Sequence, residues 1–192
     1  RHGRYGRLGI LMAANLIIGT YTDTGGFKYF PTNYKTFKII SKLVKIYPDY
    51  YKHIFEIENN TQAGQIKYKG LALSSIKTFF DNKVAISAVS NKKLKKHKIL
   101  QHQTHKSGIS NILKSVTNWD IGICIVEVKP NLCNLSMRTR DPKKYDLSKI
   151  ATAVGGGGHP AAAGAQIKKS LPQTKKILLK AIQCLHPDLG QP

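Results

Sequence analysis

Residues 155–164 of the 192-residue chain read Gly-Gly-Gly-Gly-His-Pro-Ala-Ala-Ala-Gly. This stretch is the most informative part of the sequence about the fold. The helical pattern of residues 146–154 must stop at the glycines, and residues 162–167 predict a short strand. Glycine tolerates positive φ and lets backbone N–H groups approach a ligand closely. The candidate phosphate-binding residues here are therefore Gly155, Gly156, Gly157, Gly158 and His159. A flexible linker is the alternative, although linkers rarely separate a helix from a small-residue strand.

The sequence around this stretch predicts an α/β arrangement. Alternating apolar residues predict strands over residues 77–80, 84–89, 119–128 and 132–138. The segment 129–131, Lys-Pro-Asn, has the composition of a turn between the last two strands. Helical patterns occupy residues 107–116 and 172–185.

The first part of the chain carries helical patterns only. Residues 8–21 are mostly apolar and predict a buried helix, and further helices are expected over residues 34–46, 48–58 and 61–75. The pattern changes near residue 76. We therefore expect two parts, residues 1–75 and residues 76–192.

Arginine is used sparingly, because the chain has 31 basic residues of which only five are arginines. Three of the five lie in the first seven residues, and the others are Arg138 and Arg140. A guanidinium holds a phosphate through two parallel hydrogen bonds, which an ammonium cannot do. On a strand, positions 138 and 140 share a face. A phosphate-binding pair and an exposed edge-strand pair are both compatible with this pattern.

Asp23 lies in the small-residue segment Thr22-Asp23-Thr24-Gly25-Gly26, where the first helix is expected to end. An aspartate in such a position is usually a turn or helix-cap residue. The alternative is a metal ligand, because hard cations prefer carboxylate oxygens and small neighbours let the ion approach.

A net charge of +21 favours a polyanionic partner. Part of this charge is concentrated in the lysine segment, residues 92–106, which holds Lys92, Lys93, Lys95, Lys96, Lys98 and Lys106 with His97, His102 and His105. General surface basicity and a phosphate-contacting patch both remain open. Three cysteines without close spacing fit a reducing, cytoplasmic compartment, and no apolar run is long enough for a membrane span.

Three motifs in a fixed order resemble the DHH/DHHA1 phosphoesterase superfamily. Gly19 to Phe27 is similar to the segment G-x-x-T-D-T-G-x-F, which closes the metal-binding domain of that family. Arg138 falls in a strand that resembles S-x-R-[ST]-R. Gly155 to Gly164 resembles the G-G-G-H-x-x-A-A-G signature of the DHHA1 domain. The resemblance extends from about residue 9 onward.

The resemblance implies a fold and a set of roles. Residues 1–75 would be the C-terminal helical part of a DHH domain, and residues 76–192 an α/β DHHA1 domain with a mixed sheet. The substrate would be short single-stranded RNA or DNA, or a nucleotide, as in the short-oligoribonucleotide nuclease and pAp-phosphatase group. Asp23 would bind one of two Mn²⁺ ions, Arg138 a substrate phosphate, and the glycines with His159 the terminal nucleotide. Arg140 is a weaker candidate, with a structural role open.

The chain contains no D-x-D and no Asp-His-His triplet. The resemblance places those missing ligands ahead of residue 1, so we expect an N-terminally truncated enzyme with little or no hydrolysis by itself. The alternatives are a RecJ-like single-strand exonuclease, a cyclic-dinucleotide phosphodiesterase and a nucleic-acid-binding module without catalysis. The residues leave the oligomeric state open, a homodimer included.

Overall fold

The computed structural model describes residues 6–29, 32–105 and 107–192. The chain divides into two compact units, residues 1–61 and residues 62–192. The first unit contains the helices α1 (Gly6–Asp23), α2 (Tyr34–Ile46) and α3 (Tyr50–Asn59). These agree with the helices predicted from the sequence. In α2 the first turn is closed by a capping box between Asn33 and Thr36, which supplies partners for backbone N–H groups that the helix leaves free.

Helix α1 is not the buried helix that its apolar sequence predicted. Only Ala13, Ala14 and Ile17 are buried, whereas Leu8 is 71% exposed and Leu16 is 54% exposed. The reason is that α1 is apolar around most of its circumference, while α2 and α3 bury no residue of their own in this small unit. The prediction of the helix was correct, and the prediction of its burial was wrong.

The second unit is built on a six-stranded sheet with the order β1-β2-β3-β4-β6-β5. Strands β2 and β3 are parallel and all other neighbours are antiparallel, so the sheet is mixed, as predicted. The strands are β1 (Lys77–Phe79), β2 (Val84–Val89), β3 (Ile121–Lys129), β4 (Leu132–Thr139), β5 (Gly157–His159) and β6 (Ala162–Ile167). The helices are α4 (Ala63–Ser74), α5 (Asn91–Lys96), α6 (Ile109–Ser115), α7 (Leu147–Ala153) and α8 (Leu171–Leu185).

Two hydrophobic clusters lie on opposite faces of the sheet. On one face, Ile123, Met137 and their neighbours pack with Ile150 of α7 and Leu178 of α8. On the other face, Cys124 and its neighbours pack with α4 and α6. Strand β3 is therefore buried on both sides, which explains why its sequence is almost continuously apolar.

Strand β4 alternates instead. Its residues Cys133, Leu135 and Met137 are buried toward α7 and α8, whereas Asn134, Ser136 and Arg138 are only half-buried on the other side. We call the side of the sheet that carries Asn134, Ser136 and Arg138 the open face. The polar residues of β4 lie where the helical cover on this face ends.

Helix α4 belongs to the second unit by its packing. Tyr68 and Ala72 are fully buried in the cluster under the sheet, and Tyr68 Oη lies 3.2 Å from Cys124 Sγ. The compact unit thus begins at residue 62, earlier than the division after residue 75 that the change of pattern suggested. The division into a DHH and a DHHA1 part stays a prediction.

One element differs from the expectation, because residues 157–159 form the edge strand β5 where a glycine loop was expected. Part of the lysine segment folds into α5, which is followed by a 3-10 turn at Gln101–Thr104. Within the described part of the chain, no helix has the length and apolar character needed to cross a membrane.

Candidate functional site

Arg138 lies near the end of β4 on the open face. It is half-buried, and its Nη1 donates a hydrogen bond of 2.8 Å to the backbone oxygen of Met137. A guanidinium has five N–H donors. The remaining donors of Arg138 have no protein acceptor among the described residues, so they are available to an anionic ligand.

A cleft of about 600 Å³ opens beside this guanidinium. It lies between strands β3 and β4 on one side and helix α6 with the segment before it on the other. The polar residues of its lining are Thr104, His105, Ser107, Ser110, Asn111, Asn134, Ser136 and Arg138. The volume lies within the range of pockets that hold small organic ligands. Among the described residues, no acidic side chain belongs to the lining, which favours an anionic or neutral ligand over a cation.

Two contacts organise the cleft. The hydroxyl groups of Ser110 and Ser136 lie 3.1 Å apart and join α6 to β4. Cys124 also lines the cleft, with its sulfur against the hydroxyl of Tyr68. Burial raises the pKa of the Cys124 thiol, so the thiol stays protonated and is a poor nucleophile. The cleft is therefore equipped for binding through hydrogen bonds.

The register of the sheet aligns Arg138 with His159. Arg138 pairs with Ala162 of β6, and Ala162 pairs with His159 of β5. Residues directly opposite each other in antiparallel strands have side chains on the same face. Arg138 and His159 therefore both project from the open face, about 10 Å apart across two strand spacings. His159 is exposed and does not belong to the lining of the cleft.

A second row of paired residues lies beside the row formed by Arg138, Ala162 and His159. Ser136 pairs with Gly164, and Gly164 pairs with Gly157. With Ala162 in the neighbouring row, the sheet surface between Arg138 and His159 carries only small residues. This produces a flat floor on which a planar group of a ligand can lie between the guanidinium and the imidazole.

The four glycines do not form the phosphate-cradling loop that their sequence suggested. Gly155 has a φ of +81°, its N–H donates to Thr152 O at 3.0 Å, and the N–H of Gly156 donates to Ala151 O at 2.7 Å. This is a Schellman motif that ends α7. The N–H groups of Gly155 and Gly156 are thus already paired, and only Gly157, Gly158 and His159 remain as candidates for ligand contact.

Asp23 is the last residue of α1, in the first unit, and its side chain is exposed. The helix ends in a second Schellman motif, in which Gly25 has a φ of +58° and Gly26 donates its N–H to Tyr21 O at 2.8 Å. Among the described residues, no group of three His, Cys, Asp or Glu side chains comes together in a way that can hold a metal ion. Asp23 is therefore a single candidate ligand and does not form a metal centre with other residues of this part of the chain.

Arg140 has a structural contact. Its Nε donates to Lys114 O at 2.8 Å and its Nη2 donates to Ser115 O at 3.0 Å. These carbonyls belong to the last turn of α6, which otherwise leaves them without partners. Arg140 lies just after the end of β4, so the two arginines do not form the pair on one strand face that the sequence suggested. The guanidinium of Arg138 faces the cleft, and that of Arg140 caps a helix.

Part of the lysine segment lies on α5. Lys92 and Lys95 line a shallow pocket of about 410 Å³ with Glu127 and the turn at Pro130 and Asn131. His105 reaches the cleft. Lys106 lies outside the described residues.

Comparison with known proteins finds one matching domain family and two similar curated proteins. The DHHA1 domain family matches residues 101–186. The bifunctional oligoribonuclease and PAP phosphatase NrnA of Mycoplasma genitalium is 28% identical over 172 residues, which cover 88% of this chain and 51% of that protein. The protein of the same name from Mycoplasma pneumoniae is 26% identical and is covered over 48% of its length. Residues 101–186 are thus identified as a DHHA1 domain, within a chain that is similar to the two NrnA proteins over most of its length.

A solved structure supports the fold. An exopolyphosphatase-related protein from Bacteroides fragilis superposes with a TM-score of 0.79 at 23% identity, over 93% of this chain and 52% of that one. At this identity the likeness concerns the fold alone. The chain spans about half the length of the two NrnA relatives that it matches.

Several residues of the cleft were not predicted from the sequence. Asn134 and Ser136 were not singled out, although polar residues at every second position before Arg138 are a signal of one polar strand face. Ser110 and Asn111 gave no such signal, because they reach the cleft only through the packing of α6 on β3 and β4.

Proposed function

We propose that this chain is part of a phosphoesterase that hydrolyses phosphate esters of short oligoribonucleotides or nucleotides. The single observation that carries the proposal is the half-buried guanidinium of Arg138, with unpaired donors, beside a cleft without acidic side chains. The names of the two mycoplasma relatives, both oligoribonuclease and PAP phosphatase, supply the substrate class.

In this proposal Arg138 holds a substrate phosphate through charge-assisted hydrogen bonds. His159 and the floor formed by Gly157 and Gly164 contact the sugar or the base of the terminal nucleotide. Ser110, Asn134 and Ser136 offer hydroxyl and amide groups, which can both donate and accept hydrogen bonds and so suit ribose hydroxyls. We place the enzyme in the cytoplasm, because its three cysteines are unpaired.

Mn²⁺ enters the proposal through the family, with Asp23 as one carboxylate ligand. A two-metal centre activates water and stabilises charge on the attacking and leaving oxygens. The described residues do not by themselves form such a centre, and we assign no step of the reaction to them. What the residues of this chain supply is the binding and orientation of the phosphate and its nucleotide.

Replacing Arg138 with alanine tests the proposal directly. We expect the affinity for a 5′-phosphorylated RNA of a few nucleotides to fall by about 1.5–3 kcal/mol, the value of hydrogen bonds to a charged group. Titration calorimetry with the full chain measures this. An R138K variant should recover only part of the loss, because a single ammonium lacks the second parallel hydrogen bond.

Arg140→Ala is the matched control, since it removes the same side chain two residues away. Its guanidinium is bound to Lys114 O and Ser115 O, so we expect a loss of stability on the order of 1 kcal/mol and no change in RNA affinity. An R138A protein that binds the RNA as tightly as the parent would contradict the proposed role.

The lysine segment gives a separate prediction. If Lys95 and Lys96 each bind a phosphate of the RNA, their double replacement by alanine should reduce the slope of log K against log salt, by about 0.7 for each phosphate that is no longer neutralised. Lys176 and Lys180, exposed on α8 at the other side of the sheet, are the control pair. Identical salt slopes for both double variants would mark the segment as general surface charge.

A further inference from the structure

A small pocket lies at the β1 edge of the sheet, away from the cleft. Its volume is about 290 Å³, and its lining includes Ser74, Ser75, Lys77, Lys93, Ile86 and Lys175. The three lysines come from three different elements, namely β1, α5 and α8. The fold therefore brings together cationic side chains that are separated by as many as 98 residues of sequence.

These lysines have no carboxylate partner. No acidic side chain lines the pocket, and the one ion pair found among the described residues joins Lys52 to Asp49 in the first unit. Lys77 and Lys93 are exposed, whereas Lys175 is half-buried. The Lys175 Nζ lies 4.4 Å from the centroid of the Phe79 ring, which fixes the direction of its side chain but neutralises no charge.

The electrostatics of Lys175 agree with this geometry. Burial lowers the pKa of its ammonium, and the positive charge of the neighbouring Lys77 lowers the pKa further. The folded chain thus holds two like charges close enough to repel each other. A bound anion would reverse this repulsion, because it attracts both ammonium groups at once.

The pocket is distinct from the cleft. Lys77 pairs with Ile86, whose row continues through Ile123 to Met137, so Lys77 and Arg138 lie on opposite faces of the sheet. Three strand spacings between β1 and β4 amount to about 14 Å. With a volume near the lower limit for pockets that hold organic ligands, the pocket suits a small anion better than a nucleotide.

We propose that Lys77, Lys93 and Lys175 form a second anion site, which binds inorganic phosphate or pyrophosphate at the β1 edge. The ammonium groups would surround the phosphate oxygens as point charges. A bound phosphate would tie α8, α5 and β1 together and so stabilise the second unit. This site does not depend on the proposed hydrolytic function.

The test compares phosphate with chloride at equal ionic strength on the full chain. We expect phosphate and pyrophosphate to raise the melting temperature of the parent more than chloride does, and calorimetry to detect binding. The double variant Lys77→Met and Lys175→Met should lose this specific increase, with affinity weaker by about tenfold or more. In low salt without phosphate, this variant should be at least as stable as the parent, because the repulsion is removed.

Two further variants separate this site from its surroundings. Lys176→Met combined with Lys180→Met changes two exposed lysines of α8 outside the pocket and should keep the phosphate effect. Arg138→Ala should keep it as well, because the cleft lies elsewhere. An equal phosphate effect in the Lys77/Lys175 variant, or an effect of phosphate no larger than that of chloride, would overturn the proposal.

Discussion

Replacing Gly156 with alanine should destabilise the folded chain by about 1–3 kcal/mol, the cost of overpacking a filled site. A Cβ atom at this position would lie 2.2 Å from Gly164 O and 2.5 Å from Ala165 Cβ. Neither atom can move easily, because both belong to β6, which is hydrogen-bonded between β4 and β5. Urea unfolding, followed by circular dichroism, measures the effect.

Gly157→Ala is the control, one residue further along. No atom lies within 4 Å of a Cβ built at Gly157, so we expect stability within about 0.5 kcal/mol of the parent. The new methyl group would instead project from the open face, beside His159, and weaken binding of a short RNA. If Gly156→Ala left stability unchanged and reduced only RNA binding, the glycines would act as a ligand-binding loop after all, and the packing argument would be wrong.

The helices and most strands were predictable, because the residue pattern within each segment is enough to indicate its secondary structure. Helix α2 spans Tyr34–Ile46, as its periodicity indicates, and the alternation of β4 gives both its strand and its two faces. The mixed α/β class follows from these elements. The position of Arg138 on a strand was also predictable, whereas its role as a phosphate ligand stays a prediction.

Other features depend on contacts that a linear pattern does not contain. Strand β5 consists of Gly157, Gly158 and His159, which have no alternation of apolar and polar side chains and form a strand only through pairing with β6. The alignment of Arg138 with His159 depends on the register of three strands. The exposure of Leu8 and Leu16 on α1 depends on how many helices surround it, which apolar content alone does not determine.

The boundary between the two units also depends on tertiary contacts. It leads to a second prediction, which concerns the stability of the second unit. Residues 61–75 look like the last of four similar helices, yet Tyr68 of α4 is fully buried against the sheet. Tyr68→Ala should therefore destabilise the second unit by about 3–5 kcal/mol, the usual cost of removing a buried aromatic ring. Tyr68→Phe keeps the ring and removes only the hydroxyl that touches Cys124 Sγ, so its cost should be about 1 kcal/mol.

Two fragments extend this prediction to the boundary itself. Residues 62–192 contain α4 and should unfold cooperatively in urea. Residues 76–192 lack α4 and should be far less stable, because Ala85, Val89 and Cys124 would lose their cover and apolar surface would be exposed to water. Equal unfolding midpoints for the two fragments would mean that α4 is an attachment and that the sheet needs cover on one face only. A much lower unfolding midpoint for residues 76–192 would mean that α4 is part of the folding unit that carries the cleft.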